Sequence, residues 1–162
     1  MERTLTGLVK LLRYRFLLVA GLLPYGLGAA VAFYSQGGEF SPFLFLMGLI
    51  GLVFVLIGVE TFNEFFDWML GTDRAFQLNS KPVTNRTFIV GLAAFFVAFI
   101  IAVFLTLKVG IVIIILSIIG FFASLFYLAP PIKLVYRGFG EVIIALSYGP
   151  FMVLGSYYVQ TQ

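Results

Sequence analysis

The chain has 162 residues, of which 62% are hydrophobic and only 10% are charged. A soluble domain carries about 25% charged residues, and disordered segments are poor in the apolar residues that are abundant here, so both classes are excluded. The chain has no cysteine and no histidine, which excludes disulfides, thiolate metal sites and histidine-based catalysis. This composition is typical of an integral membrane protein.

The net charge of +3 does not indicate a surface for nucleic acid. The basic residues are few and are scattered between apolar runs, whereas a nucleic-acid surface needs them clustered. We therefore expect membrane lipid, and no nucleic acid, as a partner. The placement of the basic residues is better interpreted as a signal of membrane topology.

Five apolar stretches are long enough, or nearly so, to cross a bilayer. A helix needs about 20 apolar residues to span a hydrocarbon core of roughly 30 Å. The stretches are continuous rather than alternating, which favours helices over the strands of an outer-membrane barrel. We predict an all-α integral membrane protein with about five transmembrane helices, at residues 16–34, 43–62, 87–107, 110–129 and 142–159.

The positive-inside rule gives the orientation. The Lys and Arg residues lie in the amino-terminal segment and in the loops after the second and fourth spans, and only Lys108 lies on the opposite side. We therefore expect a multi-pass protein of the cell membrane, with the amino terminus and both polar loops in the cytoplasm. Cleavage of a signal peptide at Ala30-Val31-Ala32 is the competing interpretation, which the long apolar run and the four following spans disfavour.

The second span changes character at its cytoplasmic end. Four polar residues occur there at spacings of 3, 1 and 3, which place them on one face of a helix, with phenylalanines on the opposite face. The polar residues are Glu60, Asn63, Glu64 and Asp67, and the phenylalanines are Phe62, Phe65 and Phe66.

This polar face predicts a metal site. A carboxylate at membrane depth costs about 2.5–3.5 kcal/mol, so it usually has a partner or faces a water-filled cavity. Oxygen ligands without histidine or cysteine suit Mg²⁺, which takes one or two carboxylates together with waters and phosphate oxygens. Asp73 follows shortly after Gly71. The alternative is a helix end at the headgroup level, where the acidic residues are simply solvated.

Two loops on the same side supply positive charge. Residues 73–86 include Lys81, and residues 127–141 include Lys133 and Arg137. Cations beside Mg²⁺ and carboxylates suit a diphosphate, which the metal would bridge and the cations would clamp. The alternative is that these residues only set the orientation in the membrane.

These motifs together resemble the UbiA superfamily of intramembrane prenyltransferases. Residues 63–73 resemble its first aspartate-rich motif and are closest to the form found in the MenA-like branch. That branch prenylates 1,4-dihydroxy-2-naphthoate in menaquinone synthesis. Lys81-Pro82-Val83 is similar to the family's Arg-Pro-Leu/Val element, with Lys replacing Arg. Residues 127–141 and the stretch 155–158 are also MenA-like, so that the resemblance covers most of the chain.

The resemblance implies Mg²⁺-assisted ionisation of an isoprenyl diphosphate and attack of the allylic cation on a hydrophobic aromatic acceptor. It implies catalytic and metal-binding roles for Asn63 and Asp67, with Asp73 as a further metal ligand. It also implies diphosphate-binding roles for a second set of residues, with acceptor contacts as the weakest assignment. The diphosphate set is Lys81, Tyr127, Lys133 and Arg137, and the acceptor set is Arg13 and Arg15.

The chain departs from the family pattern in two ways. The common Asp after the motif asparagine is Glu64, which keeps an acceptor group. Family members form a bundle of about nine helices with a second aspartate-rich motif, and this sequence stops at Gln162 before such a motif. We expect residues 1–162 to form the amino-terminal part of a single transmembrane prenyltransferase domain that is incomplete at its carboxyl end and inactive by itself.

Two other functions compete with transfer to a quinone precursor. Within the family, the acceptor is a glycerol phosphate ether lipid in some branches. Outside it, a cation transporter or channel subunit would use the acidic face of the second span as its path. Transport predicts acidic residues in several spans, whereas the other four apolar stretches carry essentially none.

Overall fold

The computed structural model describes the backbone of residues 2–70, 85–129 and 131–161, and the side chains of residues 19–69, 85–127, 129 and 131–161. Every regular element in these ranges is helical, as predicted. Four of the five predicted spans lie within continuous helical segments, and the predicted span 110–129 extends slightly beyond the helix Val112–Leu128 at both ends. The elements are α1 Glu2–Ser35, α2 Pro42–Leu70, α3 Asn85–Val109, α4 Val112–Leu128, a 3₁₀ turn Leu134–Arg137, α5 Gly140–Leu146, a π-helical turn Ser147–Phe151 and α6 Met152–Gln160.

Three helical segments within the described residues are long and apolar enough to cross a membrane: Pro42–Met69, Asn85–Val109 and Gly140–Gln160. The apolar helices Val19–Ser35 and Val112–Tyr127 are shorter. At 1.5 Å per residue, a helix of 17 residues reaches about 25 Å, close to the thickness of a hydrocarbon core. The chain is therefore a multi-pass membrane protein.

Helices α2 and α3 pack antiparallel through aromatic side chains. Phe62 stacks on Phe88 with a centroid distance of 5.1 Å and an interplanar angle of 6°, and it meets Phe95 edge-on at 5.1 Å. At the other end of the pair, Phe43 meets Phe104 at 6.1 Å. These contacts fix the rotation of α2 about its own axis, because its aromatic face is buried against α3.

Helices α1 and α6 approach each other at Gly28. A Cβ atom at this position would collide with the carbonyl oxygen of Val153 and would lie 2.9 Å from Cβ of Ser156. Lipid tails are as apolar as leucine, so helices in a membrane associate mainly through close packing, which small residues permit. Glycine at position 28 therefore allows the backbones of α1 and α6 to approach each other closely.

The last span contains Pro150, which lacks the N–H group that an α-helix needs at that position. The chain stays helical because residues Ser147–Phe151 form a π-helical turn between α5 and α6. Such local adjustments let a transmembrane helix tolerate proline, and π turns occur frequently at functional sites.

One end of the bundle is closed by an apolar cluster, and we call it the far end. Leu44, Leu105, Ile113 and Val159 are buried together there. Beyond them, the Gln160 side chain accepts a hydrogen bond from the Ser41 N–H at 2.9 Å and donates one to the Ser41 carbonyl at 3.3 Å. This double hydrogen bond ties the end of α6 to the start of α2.

We expect Gly28→Ala to lower the stability of the purified protein, because the added methyl group must push α6 away from α1. Overpacking of this kind typically costs about 1–3 kcal/mol. Gly26→Ala is the matched control on the same helix, since a Cβ there meets no atom within 4 Å. Thermal unfolding in detergent should show a lower Tm for Gly28→Ala alone. Equal Tm values for the two variants would contradict the close contact.

Candidate functional site

A cavity of about 1190 Å³ lies between the helices. Its wall includes residues from all five spans, and most of them are apolar. Two serines on the wall have their hydroxyl groups bonded to their own helix, with Ser117 donating to the Ile113 carbonyl at 2.8 Å and Ser124 to the Phe121 carbonyl at 2.7 Å. The wall therefore presents a surface that is apolar along most of its length.

Three polar side chains of the cavity lie at the end opposite the apolar cluster, which we call the polar end. Asn63 of α2, Tyr127 of α4 and Tyr148 of the π-helical turn all line the cavity. Tyr148 lies within electrostatic range of both Tyr127 and the buried Glu60. Two residues that the sequence assigned to one site, Asn63 and Tyr127, thus share a cavity although they come from different helices.

The aromatic face of α2 accounts for the position of Asn63. Phe62 is 5% exposed and is packed against Gly91 and the rings of α3. Successive residues of an α-helix point about 100° apart, so burying Phe62 against α3 directs Asn63 toward the cavity. The sequence predicted this division of α2 into a phenylalanine face and a polar face.

The carboxylates of α2 follow the same polar face. Glu60 is buried, and Glu64 and Asp67 are half-buried. All three have an interaction partner, as the cost of burying a carboxylate requires. Among the described residues, no three acidic side chains come together as a complete metal site, and the third predicted ligand, Asp73, lies outside those residues.

The end of α4 and the following turn fold back over the polar end. The ring of Tyr127 lies 3.5 Å from the Cβ position of Gly140, at the start of α5. The Lys133 N–H donates to the Ala129 carbonyl at 3.2 Å, which closes the turn directly after α4. Lys133 is half-buried and Arg137 is exposed, so that the turn carries both predicted diphosphate-binding cations to this end of the bundle.

Lys133 has an unusual backbone conformation. Its φ is 50° and its ψ is 59°, in the left-handed region, and it is the one non-glycine residue with positive φ in the part of the chain that the structure describes. Only a few per cent of non-glycine residues adopt positive φ, and such strain costs on the order of 1 kcal/mol and clusters at functional sites. Gly138 ends the same turn at φ 78°.

Four predicted site residues cannot be placed. Asp73 and Lys81 lie outside the described residues, between α2 and α3. Arg13 and Arg15 belong to α1, but their side chains are outside the described set. The structure therefore brings Asn63 and Tyr127 to one cavity and Lys133 and Arg137 to the turn beside it.

Sequence reasoning missed Tyr148. The residue lies in an apolar run, where aromatic side chains usually face lipid or other helices. The available signal was Pro150, since a proline inside a membrane span indicates a local irregularity that can redirect a side chain.

The chain belongs to the UbiA prenyltransferase family, whose model matches residues 21–162. It is 25% identical over 153 residues to a protein of Bacillus subtilis (strain 168) named 1,4-dihydroxy-2-naphthoate octaprenyltransferase, covering 89% of this chain and 48% of that one. It is 26% identical over 152 residues to a 2-carboxy-1,4-naphthoquinone phytyltransferase of Synechocystis sp. (strain ATCC 27184 / PCC 6803 / Kazusa), covering 87% and 47%.

The chain spans about half the length of the curated relatives that it matches. No solved structure matches it significantly. The family membership confirms the resemblance that the motifs indicated, and it agrees with the all-helical membrane fold.

We expect Phe62→Ala to destabilise the bundle by about 3 kcal/mol, the order found when a buried phenylalanine is truncated. Phe62 holds three ring contacts, with Phe66, Phe88 and Phe95. The matched control is Phe96→Ala, because Phe96 is 64% exposed. Chemical denaturation in detergent should separate the two variants, and similar losses in both would mean that Phe62 does not orient α2.

Proposed function

We propose that this chain forms part of a membrane enzyme that transfers an isoprenyl group from an isoprenyl diphosphate to a hydrophobic aromatic acceptor. The observation that carries the proposal is the cavity, whose wall is mostly apolar and which has Asn63, Tyr127 and Tyr148 together at one end. A substrate with a charged head and a long hydrocarbon tail has the same division. Family membership supports this assignment.

The residues at the polar end fit a divalent metal. Asn63 and Asp67 are one helical turn apart on the same face of α2, and they offer only oxygen ligands, as hard cations such as Mg²⁺ prefer. Asp73 would complete the set of ligands from this chain. When bound there, Mg²⁺ supplies positive charge that stabilises the leaving diphosphate.

The other polar residues would hold the diphosphate. Lys133 and Arg137 supply cations on the turn that follows α4, and Tyr127, near the end of α4, lines the cavity. Lys81 would add a fourth contact from the loop between α2 and α3. Charge-assisted hydrogen bonds to phosphate oxygens are stronger than neutral ones, and they strengthen further as negative charge develops on the leaving group.

The apolar wall has a chemical role in this proposal. It excludes water from the allylic carbon while the bond to the diphosphate breaks, which protects the cation from hydrolysis. The faces of aromatic rings on the wall, such as those of Phe95 and Phe121, attract positive charge. The products are the prenylated acceptor and diphosphate, with the proton of the acceptor carbon released.

We propose an acceptor of the dihydroxynaphthoate type, as in menaquinone biosynthesis. The support is the similarity to two proteins whose names specify naphthoate or naphthoquinone substrates. Arg13 and Arg15 would contact the acceptor from the first helix. A glycerol phosphate ether lipid is the alternative within the family, and the two acceptors are distinguished by supplying each one with the same prenyl donor.

We further propose that the protein lies in the cell membrane with the polar end on the cytoplasmic side, where the basic loops place it by the positive-inside rule. Transport of cations through the acidic face of α2 is the weaker alternative. The cavity wall is mostly apolar beyond the polar end, and buried Leu105, Ile113 and Val159 line its far end, whereas an ion path needs polar groups along its length.

We expect Asn63→Ala and Asp67→Ala each to reduce turnover by at least about 100-fold, the order found when a group that stabilises transition-state charge is removed. The assay is prenyl transfer by the purified full-length protein, together with binding of a short isoprenyl diphosphate with and without Mg²⁺. Mg²⁺-dependent binding should be lost in Asp67→Ala while the Tm is kept.

Glu39→Gln is the control for these variants, since Glu39 is an exposed carboxylate between α1 and α2. It should bind and turn over substrate normally. Wild-type turnover in Asp67→Ala would refute the metal assignment. If no isoprenyl diphosphate binds to the wild-type protein under either condition, prenyl transfer fails and cation flux into liposomes becomes the relevant assay.

We expect Lys133→Ala to raise the KM for isoprenyl diphosphate about tenfold or more, since a hydrogen bond to a charged group contributes about 1.5–3 kcal/mol. Lys133→Gly should raise KM similarly while keeping or raising the Tm, because glycine adopts positive φ without strain. Lys108→Ala, at the exposed end of α3, is the matched control. An unchanged KM in both Lys133 variants would leave this lysine with a topological role only.

A further inference from the structure

The cavity is long in one direction. Along α2 its wall runs from Gly48 to Asn63, about 22 Å at 1.5 Å per residue. Along α4 it runs from Ile113 to Tyr127, about 21 Å. Two separate helices thus give the same distance between the polar end and the far end. We call this space the tail slot.

Tyr25 of α1 lines the tail slot near its far end. Its hydroxyl donates a hydrogen bond to the Phe45 carbonyl of α2 at 2.9 Å, and its ring packs on the ring of Phe45 at 5.2 Å. The same hydroxyl contacts Gly48 so closely that a Cβ atom there would collide with it. The hydrogen bond and the glycine hold the ring in one position, where it is 5% exposed.

A second polar group lies beside Tyr25. Ser156 of α6 is 1% exposed, and its hydroxyl is close to that of Tyr25. Within the described residues, the Ser156 oxygen has no hydrogen-bond partner of acceptable geometry. Two hydroxyl groups therefore interrupt the apolar wall at this depth, and both are poor neighbours for the end of a hydrocarbon chain.

We infer that Tyr25 determines the length of the isoprenyl chain that the enzyme accepts, by closing the tail slot at a fixed distance from Asn63. This inference rests on the proposed function, since it assigns the slot to the tail of the isoprenyl diphosphate. A tail that fits extends from the polar end toward Tyr25 and buries its length against the wall. A longer tail must fold back or displace the ring together with its hydrogen bond.

Two variants should change chain-length preference in opposite directions. Tyr25→Ala removes the ring and lengthens the slot, so the preferred donor should become longer by at least one isoprene unit. Gly155→Leu should shorten it, because Gly155 lines the cavity and a Cβ there meets no atom within 4 Å. The expected change in relative kcat/KM between neighbouring chain lengths is roughly tenfold. This is the lower end of the discrimination that a hydrophobic pocket achieves for one added apolar group.

The experiment is prenyl transfer by the purified full-length protein with isoprenyl diphosphates of two to eight isoprene units, at saturating dihydroxynaphthoate. Tyr25→Phe keeps the ring and should keep the wild-type length preference. This variant distinguishes the effect of the ring from the effect of the hydroxyl group. Leu27→Ala is the control on α1, because Leu27 is 57% exposed and does not line the cavity. The Tm of each variant checks that it is folded.

The outcomes separate this inference from the proposed function. Opposite shifts in Tyr25→Ala and Gly155→Leu support the tail slot. If the wild-type protein transfers all donors equally, or if Gly155→Leu transfers them with wild-type preference, Tyr25 does not set the length although prenyl transfer stands. If Tyr25→Ala does not fold, the shift in Gly155→Leu still tests whether the donor tail occupies this end of the slot. Failure to transfer any donor would refute the proposed function itself.

Discussion

Close packing at glycines is the constraint on which the bundle depends. Helices in lipid gain little from burying apolar surface, so they associate where a small residue lets a neighbour approach. Here Gly91 receives the ring of Phe62, Gly28 receives the backbone at Val153, and Gly48 receives the hydroxyl of Tyr25. The first contact joins α2 to α3, the second joins α1 to α6, and the third joins α1 to α2. Each glycine therefore fixes the rotation of a helix as well as its distance.

The cavity follows from these contacts. Once α2 presents Phe62 to α3 and Gly48 to Tyr25, the residues between those two faces line an open space instead of a packed interface. Hydroxyl groups on its wall bond to the carbonyl groups of their own helix, as for Ser117 and Ser124, because lipid and apolar cavities offer no water for them. The polar groups that remain are mostly at the polar end. The separation of a charged head from an apolar tail is thus a result of helix rotation.

The sequence predicted the helices and the polar face of α2, because continuous apolar runs and a spacing of 3, 1 and 3 are local patterns. It also selected Asn63 and Tyr127, through motifs, without showing that they share a cavity. Tyr25 and Tyr148 could not be selected in this way. Each lies in an apolar run, and its role depends on which side of its helix meets a neighbour. For Tyr148 this depends on the π-helical turn at Pro150, and for Tyr25 on the glycine of another helix.

The backbone at Lys133 bears on the choice between the two interpretations of the basic loops. Orientation in the membrane needs only positive charge somewhere on the cytoplasmic side, so it places no demand on the conformation of a particular lysine. Lys133 nevertheless occupies the left-handed region at φ 50°, where glycine or asparagine would cost less. The hydrogen bond from its N–H to Ala129 and the following 3₁₀ turn hold it there. A strained lysine fixed on the turn that follows α4 supports the proposal that a ligand needs its charge at that place.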